Sequence, residues 1–217
     1  MLGRLFDRQP AQGSAPARQA LSGPKFMRHS GAWALMRKRL TTEQGLRVLD
    51  VGATSASNIN LLTGMGHSVY MADLIHEAYS EDWTRGEDED GKKIWDVEGF
   101  RSRNLDFSGR QFDMVLLWTT LDYLPEAFVA PVVDALSDAV ATGGQLLGVF
   151  NLKMQPEQAP HYRFHLTRTD EVELQLAQPV MLQRALTNRR IEQLFHRWSG
   201  LKQFLAKDGV SEALMTR

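Results

Sequence analysis

Residues 46–52, Leu46-Arg47-Val48-Leu49-Asp50-Val51-Gly52, decide the fold class. An apolar run interrupted by one acid and ended by glycine reads as a short buried strand, with Gly52 turning the chain out of it. Upstream, Ser30–Leu40 predicts a helix: Ser30 can cap it, and Trp33, Met36 and Leu40 recur at helical spacing. Downstream, residues 57–64 predict a helix with Ile59, Leu61 and Leu62 apolar, and Ser68–Ala72 a second strand closing on Asp73. Phe112–Trp118 (FDMVLLW) and Gln145–Phe150 (QLLGVF) are two further buried strands. Between them Pro125 opens a helix reaching about Ala141, and Gly143-Gly144 stop it. Strands alternating with helices predict an α/β fold with a mostly parallel sheet covered on both faces.

The remaining segments are less regular. Residues 74–98 are polar, with Glu87–Gly91 as an exposed turn. A helical piece near Val97–Arg101 and an extended piece near Asn104–Phe107 follow. Tyr162–Thr167 and Glu171–Ala177 alternate as the strands of a hairpin, and Asn188–His196 has a helical pattern. Leu201–Leu205 and Val210–Thr216 flank Lys207-Asp208-Gly209, a hairpin signal. Residues 1–25 are rich in Ala, Gly, Pro, Gln and Arg and lack the apolar stretch of a secretory signal. They predict a flexible basic arm ahead of one domain over 26–217 that carries an extra hairpin near 162–177.

Composition excludes several chemistries. The 217 residues contain no cysteine, which rules out disulfides, zinc–thiolate sites, iron–sulfur clusters and a thiol nucleophile, and fits a reducing, cytoplasmic setting. No apolar run approaches the ~20 residues that span a bilayer. The net charge of −1 hides an asymmetry: residues 1–40 carry eight Lys/Arg and one Asp, residues 76–98 three Lys/Arg and nine Asp/Glu. The basic arm is a candidate contact for a protein or an anionic surface, while no sequence signature for reading nucleic acid is present.

In an open parallel sheet, ligands bind beyond the carboxyl ends of the strands. Asp73, at the end of the second strand, has the chemistry to accept both hydroxyl protons of a ribose. Asp106 with Phe107 could frame an adenine, the carboxylate taking the amine and the ring one face. The loop Gly52-Ala53-Thr54-Ser55-Ala56-Ser57-Asn58 has one glycine for close backbone approach. It lacks the G-x-G-x-x-G of a dinucleotide site, and the P-loop pattern is absent too, so a dehydrogenase is disfavoured.

Together VLDVG, the acid after the second strand, LDF, FDMVLLW, TGGQLLGVF and the terminal hairpin resemble the class I S-adenosylmethionine-dependent methyltransferases over residues 30–217. WTTLDYLPE and the Asn188-Arg189 pair are similar to a poorly characterised bacterial subgroup of small enzymes. The resemblance implies a Rossmann-like sheet of seven strands in order 3-2-1-4-5-7-6, with only the seventh antiparallel. It implies S-adenosylmethionine as cofactor, with Asp50, Gly52, Ala53 and Thr54 at its methionine part and Asp73 and Leu74 at the ribose. Asp106 and Phe107 would lie at the adenine, Trp118 and Thr119 beside the sulfonium. The chain departs from the family where Thr54 and Ala56 replace glycines and where Thr119 replaces an acid.

Methyl transfer needs orientation more than a catalytic triad, so the acceptor, small molecule or protein, is not written in a motif. Acceptor-side candidates are Asp122, Tyr123, Arg163, Asn188 and Arg189, with His161, Tyr162 and His165 nearby in sequence. Asn188 is equally suited to capping the following helix. The hairpin at 162–177 is expected to cover the acceptor site. The alternative is a methyltransferase-like binding or scaffold module without turnover.

Overall fold

The structure is a computed structural model and describes residues 23–53, 55–154, 161–177, 180–206 and 208–217. In chain order its elements are β1 (Lys25–His29), α1 (Gly31–Thr42), β2 (Arg47–Val51), α2 (Ala56–Gly64), β3 (Ser68–Ala72), α3 (Leu74–Ser80), β4 (Thr84–Glu87) and β5 (Lys93–Trp95). These are followed by α4 (Val97–Asn104), β6 (Phe112–Trp118), α5 (Thr120–Tyr123), α6 (Glu126–Ala139) and β7 (Val140–Asn151). The chain ends with β8 (Tyr162–Leu166), β9 (Glu171–Leu176), α7 (Asn188–Leu194), β10 (Gly200–Leu205) and β11 (Val210–Thr216).

The main sheet has six strands in the order β10-β11-β7-β6-β2-β3. Strands β7, β6, β2 and β3 are mutually parallel, and β11 runs antiparallel to both β7 and β10. Strict alternation along these strands builds two cores. Leu49, Val51, Val115, Leu117, Leu146, Phe150, Ala213 and Met215 face α3–α7. Val48, Met114, Leu116, Leu147, Val149 and Leu214 face α1 and α2. Helix α1 starts where expected, the Ser30 hydroxyl accepting from the Trp33 N–H, and buries Trp33, Met36 and Leu40.

Four expectations are corrected. The sheet has six strands rather than seven, because residues 104–107 close α4 and turn instead of extending; Phe107 packs edge-on against Phe112 at 5.4 Å. Residues 74–98 are not irregular: they hold α3, capped by Asp73, and the β4-β5 hairpin around Gly91. Trp83 and Trp95 anchor that hairpin segment on a Phe100–Phe128 stack, aromatic anchors that a charge-rich reading overlooks. In α2 the buried face is Asn58, Leu61 and Leu62, while Ile59 is half-exposed.

The fourth correction concerns the chain's beginning. Lys25 does not belong to an arm but starts β1, which pairs antiparallel with β9 and turns the 162–177 hairpin into a three-stranded sheet, β1-β9-β8. Register places Phe26, Leu174 and Phe164 in one row across it. Two contacts seat this small sheet, one on α1 and one on the main sheet. The Trp33 indole N–H donates to the carbonyls of Thr167 and Thr169. Arg28 and the Ser30 hydroxyl both donate to Glu212 of β11, whose carboxylate is buried.

A carboxylate buried between a guanidinium, a hydroxyl and the Ala32 N–H leaves all three short of a partner when removed. Glu212→Ala is expected to lower stability by about 3 kcal/mol, measured by urea unfolding.

Candidate functional site

Four strand ends meet at the carboxyl edge of the main sheet. Strand β2 ends in Asp50-Val51-Gly52, and the Gly52 N–H continues the ladder to the Ala72 carbonyl at 2.9 Å. Gly52 has φ +153, a region that side chains avoid, and a Cβ there would lie 3.2 Å from the Trp118 ring. Strand β6 ends in Trp118, whose φ of +49 is left-handed. For an aromatic residue that conformation costs about 1–2 kcal/mol and needs support from its surroundings.

The support is a buried polar node. The Trp118 indole N–H donates to Asp50 Oδ1 at 2.6 Å, and the ring stacks on Phe164 at 4.8 Å and 9°. Asn58 Nδ2 donates to Asp50 Oδ2 at 3.0 Å and to the Phe164 carbonyl at 3.1 Å. Asn58 Oδ1 accepts the Leu166 N–H at 2.6 Å. One amide thus joins the end of β2, helix α2 and the covering strand β8. Burial raises the Asp50 pKa to about 6 against the two hydrogen bonds that lower it, and nearby Asp73 adds to the rise.

Asp73 caps α3: its Oδ1 accepts the His76 N–H at 3.2 Å. Its negative charge adds to the upward shift of Asp50 and opposes the downward shift of His161. Burial holds the His161 pKa down to about 4, so the ring is neutral, and it sits edge-on to Tyr123 at 4.8 Å. Ala53 is half-buried beside Gly52. Thr54 lies outside the described residues.

Asp106 and Phe107 are not brought to the carboxyl edge, and the Leu74 side chain turns into the core. Phe107 packs on Phe112, the first residue of β6, at the opposite end of that strand from Trp118. Asp106 is exposed and accepts the Ser108 N–H at 2.7 Å. The missing edge strand explains both: without it, the chain re-enters β6 from below. Leu74 is buried in the core facing α4 and α6.

Past Trp118 the chain enters α5. Asp122 is fully buried, and its Oδ2 accepts both the N–H and the side-chain amide of Asn151 at 2.7 Å. Its Oδ1 has no hydrogen-bond partner among the described residues. Burial raises its pKa to about 7 against those two bonds, and burial pushes the Tyr123 phenol up as well. Arg184 fixes α5 from outside, donating to the carbonyls of Leu121 and Leu124.

Tyr123 and Thr119 line a cavity of about 210 Å³ between the carboxyl edge and the β1-β9-β8 sheet, beside Tyr162, Phe164 and Asn151. Arg163 alternates to the other face of β8 from Tyr162 and Phe164. His165, on that same face, has Nδ1 at 2.7 Å from the Ser55 hydroxyl and Nε2 at 3.0 Å from Gln175 Oε1. Asn188 and Arg189 open α7, where Thr187 rather than Asn188 is the cap, and neither lines the cavity.

Sequence reasoning overlooked Asn58, Asn151 and Phe26. Asn58 left a signal, a polar residue at helical spacing from Leu61 and Leu62. Asn151 and Phe26 left none, because one ends an apolar strand and the other follows a basic, loop-like stretch.

The chain's residues 25–204 match a family model described as "Methyltransferase domain". The chain therefore belongs to that family, and its class is that of the class I S-adenosylmethionine-dependent methyltransferases. No curated protein matches it. Among solved structures it is similar to a TehB-like SAM-dependent methyltransferase from Corynebacterium glutamicum (13% identity, 87% of this chain and 89% of that one, TM-score 0.48). It is also similar to magnesium protoporphyrin IX methyltransferase from Synechocystis with bound SAH (13%, 86% and 79%, 0.47). A third is 1,6-didemethyltoxoflavin-N1-methyltransferase from Burkholderia thailandensis (13%, 86% and 77%, 0.43).

Two predictions follow from the node and from Asp122. Asn58→Ala strands Asp50 Oδ2 and the Leu166 N–H, and is expected to cost about 3 kcal/mol in urea unfolding. An acid whose folded pKa is raised binds protons more tightly folded than unfolded, so its contribution to stability is lost as pH rises from the unfolded value of 3.8 through the folded one. Stability should fall between about pH 4 and 7, and Asp122→Asn should flatten that slope in denaturation midpoints taken at each pH.

Proposed function

We propose that this protein transfers a methyl group from S-adenosylmethionine to a small molecule held under the β1-β9-β8 sheet. The observation that carries the reading is the left-handed Trp118, whose indole binds Asp50 and lies close against Gly52, while the next residue, Thr119, lines the cavity together with Tyr123. When bound, the cofactor supplies an electrophilic methyl group on a sulfonium that departs as a neutral thioether.

The residues present fit its ribose and sulfonium parts. Gly52 permits close approach of the backbone, since a Cβ there already crowds Trp118. Asp73 spends Oδ1 on its helix cap and keeps Oδ2 for the ribose hydroxyls. Ala53 follows in the same turn, and Trp118 with Thr119 flank the methyl group.

Asp50 has a different role from direct contact. Both its oxygens are committed, so it acts by holding Trp118 and Asn58 in place. Asp106 and Phe107 are left out of the binding set, and the adenine is held by other groups. Thr119 and Tyr123 face the acceptor, and Asp122 fixes Asn151 behind them.

Isothermal titration of the full chain with S-adenosylmethionine tests this reading. Micromolar affinity is expected, weakened at least tenfold by Asp73→Ala and changed less than twofold by Asp106→Ala. No heat of binding at millimolar ligand, or an unaffected Asp73→Ala variant, would refute it.

A further inference from the structure

The cavity under the small sheet has features that select its occupant. Its size comes first. A cavity of about 150 Å³ lined by apolar side chains holds one benzene. At about 210 Å³ this one has room for a substituted single ring or a compact fused pair, and none for a nucleotide or a peptide strand.

Its walls come second. Phe26 stands edge-on to Tyr162 at 5.1 Å, and Phe164 backs onto Trp118 in a parallel stack. With Tyr123 these rings bound the space on several sides. Aromatic walls favour a flat π-system over an aliphatic ring of equal volume, because stacked and edge-on ring pairs attract beyond the area they bury. Thr119, Tyr123, Phe164 and Leu174 are buried, while Phe26 is 45% exposed and marks the mouth.

Charge comes third. Among the described residues the one cation in the lining is Arg28, bound by two carboxylates, Asp208 at 2.7 Å and Glu212. Its Nη2 is buried and has no hydrogen-bond partner among the described residues, so it is one further donor. With two carboxylates against one guanidinium, the described surroundings still carry excess negative charge, which disfavours an anionic occupant. The uncharged polar groups of the lining are the Thr119 and tyrosine hydroxyls and the Asn151 amide. Asp122 takes the Asn151 Nδ2, which leaves Oδ1 as the group that accepts a hydrogen bond.

We infer that the acceptor is a compact, uncharged aromatic or heteroaromatic molecule bearing a ring O–H or N–H, docked between Phe164 and Tyr162 with that group toward Asn151. The inference rests on the proposed methyl transfer for the name acceptor, and on the cavity alone for the chemistry.

Calorimetric titrations of the full chain saturated with S-adenosylhomocysteine test it, using phenol and indole as probes and cyclohexanol and benzoate as controls. Phenol and indole should bind with submillimolar Kd, and both controls at least tenfold more weakly. Val210→Phe, which fills the cavity, and Phe26→Ala, which opens its mouth, should each weaken indole at least fivefold. Both variants should leave S-adenosylhomocysteine affinity within twofold, which also shows that they fold. Benzoate binding as tightly as phenol, or indole binding indifferent to Val210→Phe, overturns the inference. If S-adenosylhomocysteine binds and neither aromatic does, the inference falls while the cofactor reading stands. If the aromatics bind and S-adenosylhomocysteine does not, the cofactor reading falls instead.

Discussion

A carboxylate buried at the end of a strand costs several kcal/mol unless its oxygens are satisfied, and among the described residues two donors satisfy Asp50. The architecture around the hollow follows from that demand. The indole of Trp118 reaches Oδ1 from a backbone that is left-handed at the end of β6. The Asn58 amide can reach Oδ2 only if α2 presents a polar side chain at a core position. Once there, its other two bonds go to β8, so the cover of the hollow is fastened to the residue at its base.

The same economy recurs at Asp122. One oxygen organises Asn151 at the end of β7, the other has no partner among the described residues, and burial favours the protonated acid. Asp50 and Asp122 flank the turn after β6. Neither is exposed to solvent, so both act through the neighbours they orient.

The regular part of the fold was legible because periodicity reports burial directly. FDMVLLW became β6 with its expected bounds, and Ser68–Ala72 became β3 with its own. Ser30 capped α1 because a hydroxyl three residues before an N–H is a purely local signal. Segment 74–98 failed for the opposite reason: its order comes from Trp83 and Trp95 reaching a distant Phe100–Phe128 stack, which no local pattern encodes. Around the hollow, Asp73 and Gly52 were readable from their places after strands. Asp106 and Phe107 were misplaced because their reading assumed an edge strand that the chain does not build. Asn151 and Phe26 were invisible because long-range pairing alone brings them to the cavity.

The small sheet joins residues far apart in the chain, since Lys25 of β1 meets Glu173 of β9 across 148 positions. Glu212, which fastens β1 from beneath, is later still. During synthesis the first strand emerges with no mate, and contacts of such separation form slowly because a long loop must close first. The three strands of the roof are complete once β9 is made, but their fastening to the main sheet waits for Glu212, so the cover of the hollow is tied down by one of the latest contacts in the sequence.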